Sequence, residues 1–226
     1  MLDVVISLLP FIIGSAIVPI QIIVLILLLT SEKQGPLKAI AFVVGMTLVR
    51  LAQGVVFGYI FTGGDPDSAD GAAQAGVIVP TLMLVLGALL LITAYRQWRK
   101  HPDADDPPPK WLTATETMSQ LKAVAMGAGV VLIAGKMWVF TLGAVGTIGE
   151  ARLGQASSVV AFLLFVLLAE SLVIAPIVLR LVAPAKASVL LEGLSSWLSA
   201  HNRVIVIVVS LVFGALFLYK GVTGLV

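Results

Sequence analysis

Apolar positions gather into six long runs, at about 4–29, 37–61, 76–95, 121–145, 155–181 and 204–222, and the short stretches between them carry most of the charge. A helix needs ~20 predominantly apolar residues to cross the hydrocarbon core of a bilayer, so each run has the length of a span. The pattern predicts an all-α membrane protein of six transmembrane helices. They fall into two three-helix halves, 1–96 and 119–226, joined by a polar linker at 97–118. Because three is odd, a structural repeat between the halves would have inverted topology, a common plan in transporters.

A second pattern precedes the last run. Between Pro184 and His201 the apolar residues Val189, Leu190, Leu191, Leu194, Trp197 and Leu198 recur at helical spacing, with Lys186, Glu192, Ser195, Ser196 and Ser199 between them. This predicts a short amphipathic helix at about 186–200, lying on the cytoplasmic leaflet.

Composition strengthens the membrane reading. Of 226 residues, 59% are hydrophobic and 12% charged, with mean hydropathy +1.09, which is more apolar than one soluble core of this size would hold. The start, Met1-Leu2-Asp3, lacks the positive n-region of a signal peptide, so the first run is expected to remain as a span. With no cysteine, disulfides, thiol chemistry and Cys-ligated metals are excluded.

Charge placement sets the orientation. Lys33, Lys38, Arg96, Arg99, Lys100, Lys110, Lys122, Arg180, Lys186 and Arg203 flank the odd-numbered connections, while only Arg152 and Lys220 lie on the other side, beside the acidic Asp65, Asp67 and Asp70. The positive-inside rule then puts the odd connections in the cytoplasm and both termini on the extracytoplasmic side. The linker run Asp103-Ala104-Asp105-Asp106-Pro107-Pro108-Pro109 has too little apolar surface to fold. Trp98 and Trp111 bracket it at the expected headgroup level.

Three charges lie deep inside the apolar runs, away from their ends: Arg50 in the second, Lys136 in the fourth and Glu170 in the fifth. A charged residue at the centre of a span costs roughly 2.5–3.5 kcal/mol on insertion scales, so each is expected to face a partner or a wet cavity. Thr47, Arg50, Gln53 and Gly54 are spaced by three and four, giving one inward-facing polar stripe. Two cations against one anion leave room for an anionic ligand group. An alternative is that Lys136 is neutral through desolvation, and another is that Glu170 forms an ion pair that only locks helices.

Helix breakers accompany these charges. Pro10 and Pro19 interrupt the first run around Gly14 to Gln21, and Gly127, Gly129 and Gly135 lie before Lys136 at the corresponding place in the second half. Paired interruptions of this kind are the best sequence pointer to a transport site, although Pro and Gly in membrane helices also serve kinks and close packing. Pro176, six residues after Glu170, carries the same two readings. The candidate substrate or coupling residues are therefore Pro19, Gln21, Arg50, Gln53, Gly135, Lys136 and Glu170. Gly45, Gly54 and Gly58 are candidates for helix packing within or between chains, so a homo-oligomer is open.

Catalytic chemistry finds no support. His101 and His201 stand alone at the cytoplasmic edge, without a metal-ligand cluster, and there is no phosphate loop or nucleophile elbow. The expectation is a protein that is not an enzyme and has no cofactor, metal or nucleic-acid partner. His201-Asn202-Arg203 opens the last run, where contact with phosphate headgroups of membrane lipids is its expected role.

Two resemblances follow from these residues. Val18-Pro19-Ile20 and Ala134-Gly135-Lys136-Met137-Trp138-Val139-Phe140 resemble the six-span lysine-exporter superfamily, whose fourth span carries Asn-Pro-Lys before an apolar-aromatic pair. Lys136, Val139 and Phe140 match that motif, and Ala134 and Gly135 stand in place of Asn and Pro. A closer likeness covers nearly the whole chain. Gln97-Trp98-Arg99-Lys100, Pro109-Lys110-Trp111-Leu112, Ala183-Pro184, Trp197-Leu198, His201-Asn202-Arg203 and the ending from Gly214 to Lys220-Gly221 together resemble the mycobacterial sulfolipid-addressing and glycopeptidolipid-addressing protein family. That resemblance implies an integral protein of the bacterial inner membrane that helps to move a glycolipid or related anionic amphiphile toward the cell surface, alongside a large lipid-transporter partner. It brings no catalytic residues. A small-solute exporter and a non-transporting scaffold of a lipid-export complex are the alternatives.

Overall fold

A computed structural model describes residues 2–62, 69–99 and 118–225; the side chains of Leu2, 60–62, 69–79, Lys136, Ala185 and Ser188 are outside the description. Most of the expected linker, 100–117, and the acidic connection at 63–68 therefore lie outside the described residues. Those described form nine helices and no strand: α1 (Leu2–Ala16), α2 (Pro19–Thr30), α3 (Gly35–Thr62), α4 (Ala69–Arg99), α5 (Gln120–Ile133), α6 (Gly135–Glu150), α7 (Gln155–Ala169), α8 (Ser171–Val182) and α9 (Pro184–Thr223).

Three helices, α3, α4 and α9, are each long and apolar enough to cross a membrane. The other six form bent pairs, α1 with α2 at 59°, α5 with α6 at 73° and α7 with α8 at 61°, which bring the number of spans to six if each pair is one crossing.

Each bend has its own local chemistry. Pro19 disfavours helical geometry in the residue before it, and Val18 is extended at φ −127° and ψ 93°. Pro19 then opens α2, where its missing N–H is no loss. Ala134 leaves the helix at ψ 90° with no proline to force it, and the indole of Trp138 donates to the freed Leu132 carbonyl at 2.9 Å. Glu170 sits at φ −96° and ψ 0°, and the Ser171 hydroxyl donates to the Leu168 carbonyl at 2.7 Å. This third bend falls at Glu170 itself, six residues ahead of Pro176, which is taken up inside α8.

Glycines bring the long helices together. Any side chain at Gly45 of α3 would collide with the Val124 carbonyl of α5, and one at Gly127 of α5 with the Phe42 carbonyl of α3. Gly87 of α4 and Gly214 of α9 are similarly face to face. Of the other expected packing glycines, Gly54 lies against the Phe162 ring, and a side chain added at Gly58 would meet nothing within 4 Å.

The apolar core has two layers. One unites α1, α4, α6, α7, the latter part of α9 and Phe57 near the end of α3 through Phe11, Phe140, Phe165, Phe213 and Phe217. The other unites α2, α3, α5, α8 and the first part of α9 through Leu25, Phe42, Val131, Val173 and Leu191. Each bent pair gives one half to each layer, so the three bends lie where the layers meet.

Residues 184–223 form one uninterrupted helix, about 60 Å long at 1.5 Å per residue. The stretch expected as a separate short helix is thus the first part of the last span's helix. Nothing between Pro184 and Arg203 breaks the backbone, and Ala187, Leu191 and Leu198 are buried in the layer around α2.

Candidate functional site

The boundary between the two layers is polar. The face of α3 that turns inward reads Ala39, Phe42, Met46, Arg50, Gln53 and Phe57, all buried, with Arg50 and Gln53 interrupting an apolar stripe. Arg50 is fully buried and reaches one residue near each bend. Its Nη1 donates to Ser15 Oγ at 2.7 Å, just before the first bend. Its Nη2 contacts Met137 Sδ at 3.2 Å, just after the second. Its Nε lies 3.2 Å from Glu170 Oε1, at the third.

Glu170 is held by α3 at two points one turn apart. Its second oxygen, Oε2, accepts from Thr47 Oγ1 at 2.6 Å, although the same hydroxyl is 2.9 Å from the Val43 carbonyl and has one proton to give. The Arg50 Nε to Glu170 Oε1 contact is ionic without being an aligned hydrogen bond. A buried pair joined through one nitrogen lacks the bidentate fork that gives Arg–carboxylate contacts their full strength.

Further hydrogen-bonding capacity is unspent. Among the described residues, neither amide atom of buried Gln53 has a partner, and the same holds for Nε2 of buried Gln21. An unsatisfied buried donor or acceptor costs about 1–3 kcal/mol, so such groups need an explanation. Gln53 is one turn from Arg50 on the same face, and Gln21 is in the first turn of α2 after the Val18 bend.

The structure thus brings Arg50 and Glu170 together and places Gln53, Gln21 and Pro19 at the same boundary. Gly135 is the first residue of α6, exposed, with open space where a side chain would project. The backbone of Lys136 follows it beside Met137, but its side chain lies outside the described residues. Ser15 and Met137 did not stand out in the sequence, where serine and methionine are ordinary; their places next to Val18-Pro19 and Lys136 were the available signal.

His201, Asn202 and Arg203 lie elsewhere, midway along α9. Arg203 donates from Nε to the Gln97 carbonyl at 3.0 Å and from Nη2 to the Trp98 carbonyl at 2.7 Å, so it caps the end of α4. His201 stacks on Trp197, with ring centroids 4.8 Å apart.

An apolar groove of about 320 Å³ opens between α3 and α8. Thr47 is the one polar residue in its lining. No cluster of three or more metal-ligating side chains occurs among the described residues. The arrangement is suited to exchanging an anion or a proton at a buried guanidinium and carboxylate.

Comparison with known proteins gives one family. The family model described as Sap, sulfolipid-1-addressing protein, matches residues 8–223, and the chain belongs to that family. No curated protein and no solved structure gives a significant match.

Proposed function

We propose that this member of the sulfolipid-1-addressing family moves, or helps to move, an anionic or glycosylated amphiphile across the membrane, and that Arg50 takes the acidic headgroup in exchange for Glu170. The observation that carries this reading is the set of buried polar groups with unspent hydrogen bonds, Arg50 Nε, Glu170 Oε1, Gln53 and Gln21, at the meeting point of three bent spans. An anion on Arg50 would satisfy the guanidinium, and the two amides suit hydroxyl groups of a sugar. Glu170, once displaced, would balance the charge or carry a proton. Lys136, next to Met137 in α6, would add a second cation for the headgroup.

Half-helix ends near the midplane are a recurrent way of building such a site. An inverted repeat is part of the proposal. It is supported by the bends in the first span of each half, at Val18 and Ala134, and by Arg50 standing fifteen residues past Gly35, where α3 begins, as Glu170, just beyond the end of α7, stands fifteen past Gln155, where α7 begins. Residence in the bacterial inner membrane, work alongside a large lipid transporter and extracytoplasmic termini belong to the same proposal. So does contact of the Trp197 and His201 face of α9 with lipid headgroups.

The test is reconstitution in phosphatidylcholine liposomes with a trace of fluorescent phosphatidic acid, followed by quenching of the outer leaflet. Arg50→Gln is expected to lose the protein-dependent transbilayer movement, and Lys136→Ala to slow it. Equal rates for wild type, Arg50→Gln and Glu170→Gln, all above the protein-free control, would remove the buried site from the function. A lysine-exporter-like solute pathway would instead give saturable amino-acid uptake into inverted vesicles. A pure scaffold would move neither probe.

A further inference from the structure

The groove between α3 and α8 is walled by Ile40, Val43, Val44 and Leu48 on one side and Ile174 and Ile177 on the other. Ile40, Val44 and Leu48 are exposed on the outer surface of a helix long enough to span a membrane, so hydrocarbon is the medium that reaches them. The groove extends from the level of Glu170 toward the end of the bundle that holds Gly35 and Val182. Its lining includes Thr47, whose hydroxyl is bonded to Glu170 Oε2. The groove is therefore continuous with the polar site through one side chain.

We infer that this groove seats one hydrocarbon tail of the amphiphile whose headgroup is exchanged at Arg50, with Thr47 marking the junction between tail and headgroup. The inference rests on the function proposed above and adds the route of entry, which is sideways from the bilayer between α3 and α8. A neighbouring helix is a poorer occupant. Membrane helices associate through small residues that let backbones approach. The rim of this groove is built of branched aliphatic side chains, and Gly45 and Gly54 of α3 are already taken by α5 and by Phe162. A flexible chain of methylenes fits such a rim and has no polar groups to satisfy along it. Its volume, about 320 Å³, suits part of one tail rather than a whole lipid.

The experiment uses the full chain in phosphatidylcholine liposomes containing a trace of phosphatidic acid or phosphatidylcholine, each with a diazirine midway along one acyl chain. Labelled positions are read by mass spectrometry after illumination. The expected result is label concentrated in 40–48 and 174–177, stronger for phosphatidic acid. Val44→Phe and Ile174→Phe, which fill the groove from opposite walls, should each lose that label. Leu163→Phe, on the exposed face of α7, should keep it. Label spread evenly over lipid-facing residues, or unchanged by both filling variants, would overturn the tail seat. Arg50→Gln separates the two ideas. Loss of movement with even label sinks only the tail seat, whereas concentrated label with unchanged movement in Arg50→Gln sinks only the headgroup reading.

Discussion

Arg50 is a cation with three different partners, a carboxylate, a hydroxyl and a thioether, and no solvent. Removing one member of such a buried pair is costly because the other charge stays behind, by about 3–5 kcal/mol, while replacing both by apolar groups is often neutral or better. Glu170→Leu alone is therefore expected to lower the thermal unfolding midpoint in detergent strongly, and Arg50→Met with Glu170→Leu to recover much of the loss. If the double variant is no more stable than the single, the pair is not the main tie across the boundary. Arg50 and Glu170 were legible in the sequence because charge inside an apolar run is rare and demands a partner. Ser15 and Met137 were not, since their contribution depends on which helix faces which, and one chain without its fold does not fix that. The bonds from Arg203 to the Gln97 and Trp98 carbonyls were hidden for a related reason: a basic residue near an expected membrane edge also serves the free carbonyls of a neighbouring helix end.

At the scale of helices, the six apolar runs and the Pro19 bend followed from composition and proline geometry alone. The Ala134 bend had weaker local cause, and the one at Glu170 has no proline or glycine at it; there the side chain is bonded to Thr47 and paired with Arg50 of α3, and the Ser171 hydroxyl bonds the Leu168 carbonyl. The continuous α9 escaped the sequence reading because polar residues inside a helix change its surroundings without breaking its hydrogen bonds. Packing glycines carry a sharper expectation. Gly127→Val would drive a branched side chain into the Phe42 carbonyl, and overpacking of this kind costs about 1–3 kcal/mol. The same change at Gly129, where nothing is near, should cost far less. A similar drop in unfolding temperature for both variants would mean that helix propensity, not the α3 and α5 contact, sets the effect.

For the molecule as a whole, counting each bent pair as one crossing gives six spans, which would put both ends on one side. Because the chain has no cysteine, single cysteines at Asp3, Ser195 and Gly224 give a clean topology test. An impermeant thiol reagent added outside intact cells is expected to label the first and last and spare Ser195; the reverse pattern would invert the orientation drawn from the basic residues. The unbroken α3 also has a consequence for how the molecule changes shape. Since a single guanidinium on that helix is shared by all three bent pairs, no pair can straighten alone without stripping Arg50 of a partner. Shape changes should then be concerted, resembling a switch thrown once, with few stable intermediates between the two arrangements.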